Sequence, residues 1–505
     1  MRESRVKKAT RNIFSSVFQM CINLIINFVG RIVFIRILDA SYLGINGLFT
    51  NILSILSMAD LGMTTAMMFH LYKPIADNDH RKICNLVGYF KRIYIIIATA
   101  VFLIGMSLVP FLKYIINLEQ DIPYVQVYYV LALLNVVISY LFVYRTTLIA
   151  ADQKNYLLNK TIIIFKIITF FAQIIVLVLF GNYFLYLLVA VALSFICNLY
   201  QNQIALKLYP YLNSNEYYLD KIEQKGIFND IKSLFIYKIA GVLQTNIQSI
   251  LISIFTGTVF VGYYSNYLMI VNQIVNVLTL IFNNLKASIG NVIADENSKF
   301  EQKWFLYKVF DLFNYWSVAF CSICLLVLFN DFVYLCFGKK YVLDIVTVIE
   351  IILNFYTNNN RQNIWAFRET TGIFVQTKHI VVVTTLLTVI GSIVLGYNFG
   401  IKGILFATII ARMLYAWWKE PQILFREVFH RGAKEYYLTY IQQVVLLVII
   451  GSLTYLIANI ISFPSMYIAF IYKMLICLLF PNICFIFLYF QTEEFKYLYN
   501  KILRK

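Results

Sequence analysis

Arg361 and Arg368 stand in the stretch "YTNNNRQNIWAFRETTG" (356–372), just after one apolar run and just before another. On a helix turning about 100° per residue, Glu350, Asn354, Thr357, Asn358, Arg361, Trp365 and Arg368 fall on a single stripe. Guanidinium forks donate paired hydrogen bonds to phosphate or carboxylate oxygens, and side-chain amides both give and take hydrogen bonds. The stripe therefore has the chemistry to meet an anion that also carries hydroxyl groups. Asn359 and Asn363 point off it and are assigned to hydrogen bonds between helices.

Two other segments repeat the pattern. Ser16, Gln19, Asn23, Asn27 and Gly30 share one helical face with Arg31 at its edge, and Lys238, Gly241, Gln244, Thr245 and Gln248 make another. Asp60 shares a face with Thr50, Ser57 and Thr64, and is either half of a structural ion pair or a site for a coupling proton or cation. Arg145, Lys166 and Arg412 form a second rank of cavity candidates. Arg145, Lys166 and Asp311 lie within two or three turns of expected cytoplasmic helix ends, where snorkelling also accounts for them.

The elements that must position these groups are membrane helices. Hydrophobic residues make up 61% of the 505-residue chain and charged residues 13%, against about 25% charged in ordinary soluble domains. Mean hydropathy is +0.74. Runs of about 20 apolar residues, enough to cross a bilayer, recur along the chain and predict an all-α polytopic membrane protein with about 14 transmembrane helices. A charge inside such a span costs about 2.5–3.5 kcal/mol even on the gentlest scale. The polar stripes are thus expected to face water, substrate or the polar groups of neighbouring helices, and a hydrated cavity is the preferred reading.

The net charge of +17 raises the question of nucleic acid, and the placement of the charges answers it. With the amino terminus in the cytoplasm, Lys73, Arg81, Lys82, Lys154, Lys160, Lys221, Lys225, Lys299, Lys303, Lys378, Arg426 and Arg431 all fall on the inside. The opposite loops carry little more than Lys113, Lys339, Lys340 and Lys402. The positive-inside rule then makes both termini cytoplasmic. Membrane lipids, and not nucleic acid, are the expected contact.

Enzyme-like signals are weak. Asp77, Asn78 and Asp79 spell an Asp-x-Asp, but in a very short loop where turn chemistry explains them. Gly338, Lys339 and Lys340 lack the upstream glycine of a phosphate-binding loop. The eight cysteines are scattered through apolar segments and read as small buried hydrophobes. No catalytic group, metal or cofactor is expected.

The halves of the chain carry a short internal match: "FIRILDASYLGINGLFTNI" (34–52) and "ISIFTGTVFVGYYSNYLMI" (252–270) both end one span and open the next, aligning Gly44 with Gly262. The spans group as 1–207 for a first six-helix lobe, 208–231 for a cytoplasmic loop and 232–420 for a second six-helix lobe. A cytoplasmic loop (421–437), an extra helix pair (438–490) and a cytoplasmic tail (491–505) follow.

Three stretches, "RILDASYLGINGLF" with "ADLG" (36–62), "VGYYSNYLMIVNQIVNVL" with "KASIGN" (261–291), and "FRETTGIF" with "GIKGILFATIIARML" (367–414), carry a resemblance in order and spacing. The chain resembles the Wzx-type polysaccharide flippases (O-antigen or teichoic-acid repeat-unit exporters) of the multidrug/oligosaccharidyl-lipid/polysaccharide superfamily. The resemblance implies two six-helix lobes around a central cavity and alternating access in a bacterial cytoplasmic membrane. It implies an undecaprenyl- or other polyprenyl-diphosphate-linked saccharide as substrate, and polysaccharide polymerase machinery as a partner. Arg31, Lys238, Arg361 and Arg368 are then the expected diphosphate contacts. Gln19, Asn23, Asn27, Gln244, Gln248, Asn354 and Asn358 are expected to bond the saccharide, with Trp365 stacking on a sugar face. The rivals are a drug or small-molecule exporter of the same superfamily, and a membrane saccharide polymerase or glycosyltransferase.

Overall fold

The computed structural model describes residues 5–57, 63–117, 122–213, 219–294, 300–371 and 373–503. All regular structure among them is helical. In chain order the helices are α1 (Arg5–Ile37), α2 (Ala40–Leu56), α3 (Met63–Asp77), α4 (His80–Leu108), α5 (Leu112–Ile115), α6 (Val125–Tyr140), α7 (Val143–Ala151), α8 (Asn155–Phe180), α9 (Tyr183–Leu208) and α10 (Lys221–Phe255). There follow α11 (Thr258–Ala294), α12 (Phe300–Phe337), α13 (Ile345–Asn359), α14 (Gln362–Thr371), α15 (Phe374–Ala411), α16 (Trp417–Phe429), α17 (Lys434–Ala458), α18 (Met466–Tyr489) and α19 (Glu493–Leu503).

Helices are the solution lipid imposes, because an unpaired peptide group has no water to turn to. Exposed apolar residues mark the lipid faces. Ile164, Ile168, Phe171, Ile175 and Val178 of α8 are all exposed at alternating spacings of four and three, one face of one helix. Among the described residues nine helices are long and apolar enough to cross a bilayer, or ten if the pair α6–α7, bent by 47°, counts as one crossing. The remaining expected crossings fall on α2 with α3, α13 with α14, the second arm of α15, and the 35-residue α10.

That last break has a plain cause. Gly400 sits at φ +58°, ψ −136° within α15, a conformation that only glycine enters without strain. The chain folds back there, so that Ser392 Oγ donates to the Ile404 carbonyl at 3.4 Å. The expected spans 379–397 and 402–419 are the two arms of this hairpin. The Asp-x-Asp run is also a turn: Asn78 is left-handed at φ +54°, and Asp79 caps α4 by accepting from Lys82 N at 2.9 Å.

The chain divides into two compact units, residues 1–262 and 263–505. In the first, α1 packs on α8, α6 on α9 and α4, and α10 on α2. Tyr183 gathers Phe34, Tyr42 and Tyr128 edge to face at 5.0–5.9 Å. In the second, α12 is the central post: Tyr315, Ala319 and Ile323 pack on Ile450 of α17 and Phe485 of α18. The C-terminal helix pair is thereby fixed to the rest of its unit.

Close approach in the first unit depends on Gly44. A Cβ built there would lie 2.1 Å from the Thr258 carbonyl oxygen, and one on Gly262 would lie 2.9 Å from Gly44 N. The two glycines matched by the internal repeat therefore touch each other. Thr258 is held in turn by Asn117, whose N donates to Thr258 Oγ1 at 2.9 Å and whose O accepts from Thr258 N at 2.7 Å. Gly44→Val is expected to destabilise the protein by about 1–3 kcal/mol or more through overpacking against backbone. Gly226→Ala, where nothing lies within 4 Å, should be neutral or slightly stabilising. Melting temperatures of the two purified variants in detergent check this, and equal values would remove the glycine contact from the account.

Candidate functional site

The sequence predicts one continuous span over 344–371, and the structure instead breaks it into α13 and α14, with Asn360 and Arg361 in the turn between. The reason is local. Four polar residues in a row, Thr357 to Asn360, have modest helix propensity, and asparagine amides compete with the backbone ladder. Asn359 Nδ2 donates to the Phe355 carbonyl at 2.8 Å, and Asn363 Oδ1 accepts from Ile364 N at 2.8 Å. The single stripe of the sequence reading thus becomes two faces on two helices.

Arg361 and Arg368 are only 4% and 5% exposed, so neither guanidinium reaches open water. Both meet Glu420 of α16, itself 3% exposed. Arg361 Nη2 donates to Glu420 Oε2, Arg368 Nη1 donates to Oε1 at 3.2 Å, and Trp365 Nε1 donates to Oε2 at 3.3 Å. The Arg361 guanidinium also lies 5.7 Å from the Trp365 ring centroid, within cation–π range. One carboxylate thus serves two buried cations and an indole. Asn358 is half-buried beside the break.

A second layer surrounds the break. Asp311 of α12 accepts from Asn363 Nδ2 and, at 2.8 Å, from Gln443 Nε2 of α17. Asn360 Nδ2 donates to Gln443 Oε1 at 3.1 Å and to Tyr356 OH at 3.1 Å. Asn314 Nδ2 donates to Asn360 Oδ1 at 3.3 Å. Arg412 is buried and donates to Thr357 Oγ1 at 2.7 Å and the Asn354 carbonyl at 3.2 Å, while Asn354 Nδ2 donates to the Leu405 carbonyl at 3.0 Å. Arg412 opens one π-helical turn, Arg412–Ala416, that leads into α16. Such a turn inserts an extra residue and resets which side chains face a neighbour.

The sequence reading missed Glu420, Gln443 and Asn360, and gave Asp311 a snorkelling role that its two amide partners replace. A signal for Glu420 was present: Arg361 and Arg368 needed an acid, and Glu420 stands at the inner end of the twelfth expected span.

In the first unit, Gln19 and Asn23 of α1 are half-buried, and Asn27 is exposed. Arg31 lies within electrostatic reach of the Tyr186 hydroxyl. Arg145 Nη1 donates to Asn202 Oδ1, Lys166 is half-buried on α8, and Gln248 of α10 is buried. Asp60 and the side chains of Lys238 and Gln244 lie outside the described residues. What the unit does bring together is a cavity of about 370 Å³ between α2, α6, α8 and α9. Its polar lining is Asn46, Thr50, Ser54, Ser57, Asn135, Gln173 and Tyr186, beside apolar residues such as Phe49 and Leu131, and no charged residue contributes among the described residues. Tyr183 OH donates to Asn46 Oδ1 at 3.2 Å, and Gln173 Nε2 to the Tyr186 carbonyl at 3.2 Å.

The helices, their lipid faces and their buried charges define an all-α polytopic membrane protein. No protein-family model matches the chain, and no curated protein does. Solved structures match most of its length. A structure described as the lipid II flippase MurJ in an inward closed conformation superposes with a TM-score of 0.64 at 12% identity, covering 94% of this chain and 98% of that one. An inward-facing multidrug resistance MATE family transporter of the MOP superfamily gives 0.56 at 12% identity over 78% and 91%. The Vibrio cholerae MATE transporter VcmN in its bent form gives 0.55 at 12% over 83% and 98%. At such identities the likeness is one of fold.

Removing the shared carboxylate exposes its role. Glu420→Gln leaves two buried guanidiniums without their counter-charge and is expected to cost about 3–5 kcal/mol. Arg361→Ala, which keeps the Arg368–Glu420 pair, should cost less. A double-mutant cycle on melting in detergent reads the coupling; additive losses would refute the pairing.

Proposed function

We propose that this protein is a transporter that moves a lipid-linked saccharide from the inner to the outer leaflet by alternating access, without catalysing a covalent step. The observation that carries the reading is the cavity of the first unit, lined among the described residues by amides and hydroxyls without charge. Its volume of about 370 Å³ falls in the ~300–1,000 Å³ range of small-molecule sites. Its amides and hydroxyls can each donate and accept, as a polyhydroxylated guest requires. A saccharide crossing lipid unaided would strand its hydroxyls at several kcal/mol each, so a neutral polar lining stabilises the crossing without a charge to desolvate.

The lipid anchor needs a cation for its diphosphate, and Arg31 is the residue proposed for it. It stands one turn before Phe34, whose ring meets that of Tyr186 in the cavity wall at 5.3 Å, and an arginine fork suits phosphate oxygens. Lys238 and the amides of Gln19, Asn23, Asn27, Gln244 and Gln248 are proposed to extend this path. Arg361, Arg368 and Trp365 are proposed to act by holding the α13–α14 break against Glu420. The similarity in fold to a structure described as a lipid II flippase supports a lipid-linked substrate. The fold is equally that of multidrug transporters; a cationic drug would call for carboxylates, and among the described residues none lines the cavity.

The test is leaflet location. In cells lacking the protein, lipid-linked saccharide should accumulate in the inner leaflet; an unchanged distribution would sink the reading. In reconstituted vesicles, Asn135→Leu with Gln173→Leu should slow flipping roughly tenfold or more at unchanged protein level. Arg31→Ala should slow it further, with partial rescue by Arg31→Lys. Wild-type flipping by the Asn135/Gln173 double variant would take the cavity out of the path.

A further inference from the structure

Toward α7, the lining of the first unit's cavity ends at Ser57, the residue that closes α2, and at Asn135 and Val136 of α6. One turn further along α6 stands Tyr140, 3% exposed, whose hydroxyl donates to the Ser57 carbonyl at 3.2 Å. That bond ties α6 to α2 just beyond the lining. In the orientation that the basic loops predict, it stands on the cytoplasmic side of the cavity.

The helix breaks at the same point. α6 stops at Tyr140, α7 starts at Val143, and the two are bent by 47°. No proline or glycine lies between Val125 and Ala151, so the bend is not imposed by a residue unable to continue a helix. The ladder across it consists of three-residue bonds, from Leu141 N to the Ile138 carbonyl at 3.2 Å and from Phe142 N to the Ser139 carbonyl at 3.5 Å. The second is long for a peptide bond pair. Ser139 Oγ also donates to the Val136 carbonyl at 2.7 Å, a side-chain bond of the kind that bends helices. A break made this way is reversible, because every residue in it can rejoin a regular ladder.

The second unit carries the same device under a firmer hold. α6 and α7 have 16 and 9 residues, α13 and α14 have 15 and 10, and two residues separate each pair. The α13–α14 break is clamped by the Glu420 triad, whereas the Tyr140–Ser57 bond is neutral and so the weaker kind. α7 packs on α3, and α4 runs unbroken beside both α6 and α7, so a change of bend slides α7 along α4. We propose that Tyr140 is a positioning residue for transport: its bond to Ser57 latches the floor of the cavity, and the α6–α7 break is the hinge on which that floor opens. Straightening α6 into α7 draws the Tyr140 hydroxyl off Ser57. The latch rests on the transport reading of the cavity, and the hinge does not.

Hydrogen–deuterium exchange of the purified full-length protein in nanodiscs reads the hinge without any substrate. Amides 141–145 should exchange about tenfold or more faster than amides 362–368 of α14. Tyr140→Phe removes only the hydroxyl and should speed exchange at 141–145 about fivefold, leaving α14 unchanged. Ser139→Ala, at an exposed position, should slow it. In the flipping assay both variants should lower the maximal rate at an unchanged half-saturating concentration of lipid-linked saccharide, since one fails to hold the floor shut and the other resists opening it. Equal exchange at the two breaks, or no change in Tyr140→Phe, overturns the hinge whatever the protein moves. Wild-type flipping by both variants overturns the latch. No flipping by the wild type, with the exchange pattern intact, sinks the transport reading and with it the latch, and leaves the hinge.

Discussion

A carboxylate shared by two guanidiniums, out of reach of water, sets the arrangement of the second unit. Glu420 with Arg361 and Arg368 is a buried ionic triad, and taking such charges from water is costly enough that each needs its partners in place. That need brings α14 against α16 and fixes where α13 must end. A straight helix over the same residues would aim the Asn360 and Asn363 side chains differently. With the break their amides meet Asn314, Asp311 and Gln443, so the turn is gripped from α12, α16 and α17 at once.

The first unit is held together differently. Lipid gives apolar helices little reason to prefer each other over acyl chains, so association depends on close packing and on hydrogen bonds. Gly44 brings backbone against backbone, the Tyr183 cluster fills the space between α1, α2, α6 and α9, and Asn117 clamps Thr258. Among the described residues its cavity lining carries no charge, whereas the second unit's polar interior is ionic. The two units therefore offer different chemistry to whatever enters them, one suited to hydroxyl groups and one to formal charge.

Hydropathy made the helical, membrane-spanning class legible, and residue spacing found the arginines and asparagines that matter most in the second unit. Asn363, assigned from its azimuth to bonds between helices, does bond to Asp311 and Tyr307. Azimuth, however, says which way a side chain points and not what waits there. Glu420 lies 59 residues from Arg361, at the margin of an expected span, and only tertiary packing joins them. The helix break was hidden for a related reason. Periodicity treats Asn359 and Asn363 as points on a wheel, while their amides act on the backbone itself. Nor could the internal repeat say that Gly44 and Gly262, matched in sequence, meet in space.

The separation of Glu420 from its arginines also orders events during synthesis. The segment bearing Arg361 and Arg368 leaves the ribosome some 50–60 residues ahead of the acid that neutralises it. Until α16 follows, the two cations lack their counter-charge, at the several-kcal/mol penalty of a buried charge without its partner. The α14 segment is therefore completed late: Gly400 turns the chain back and Glu420 then closes the triad.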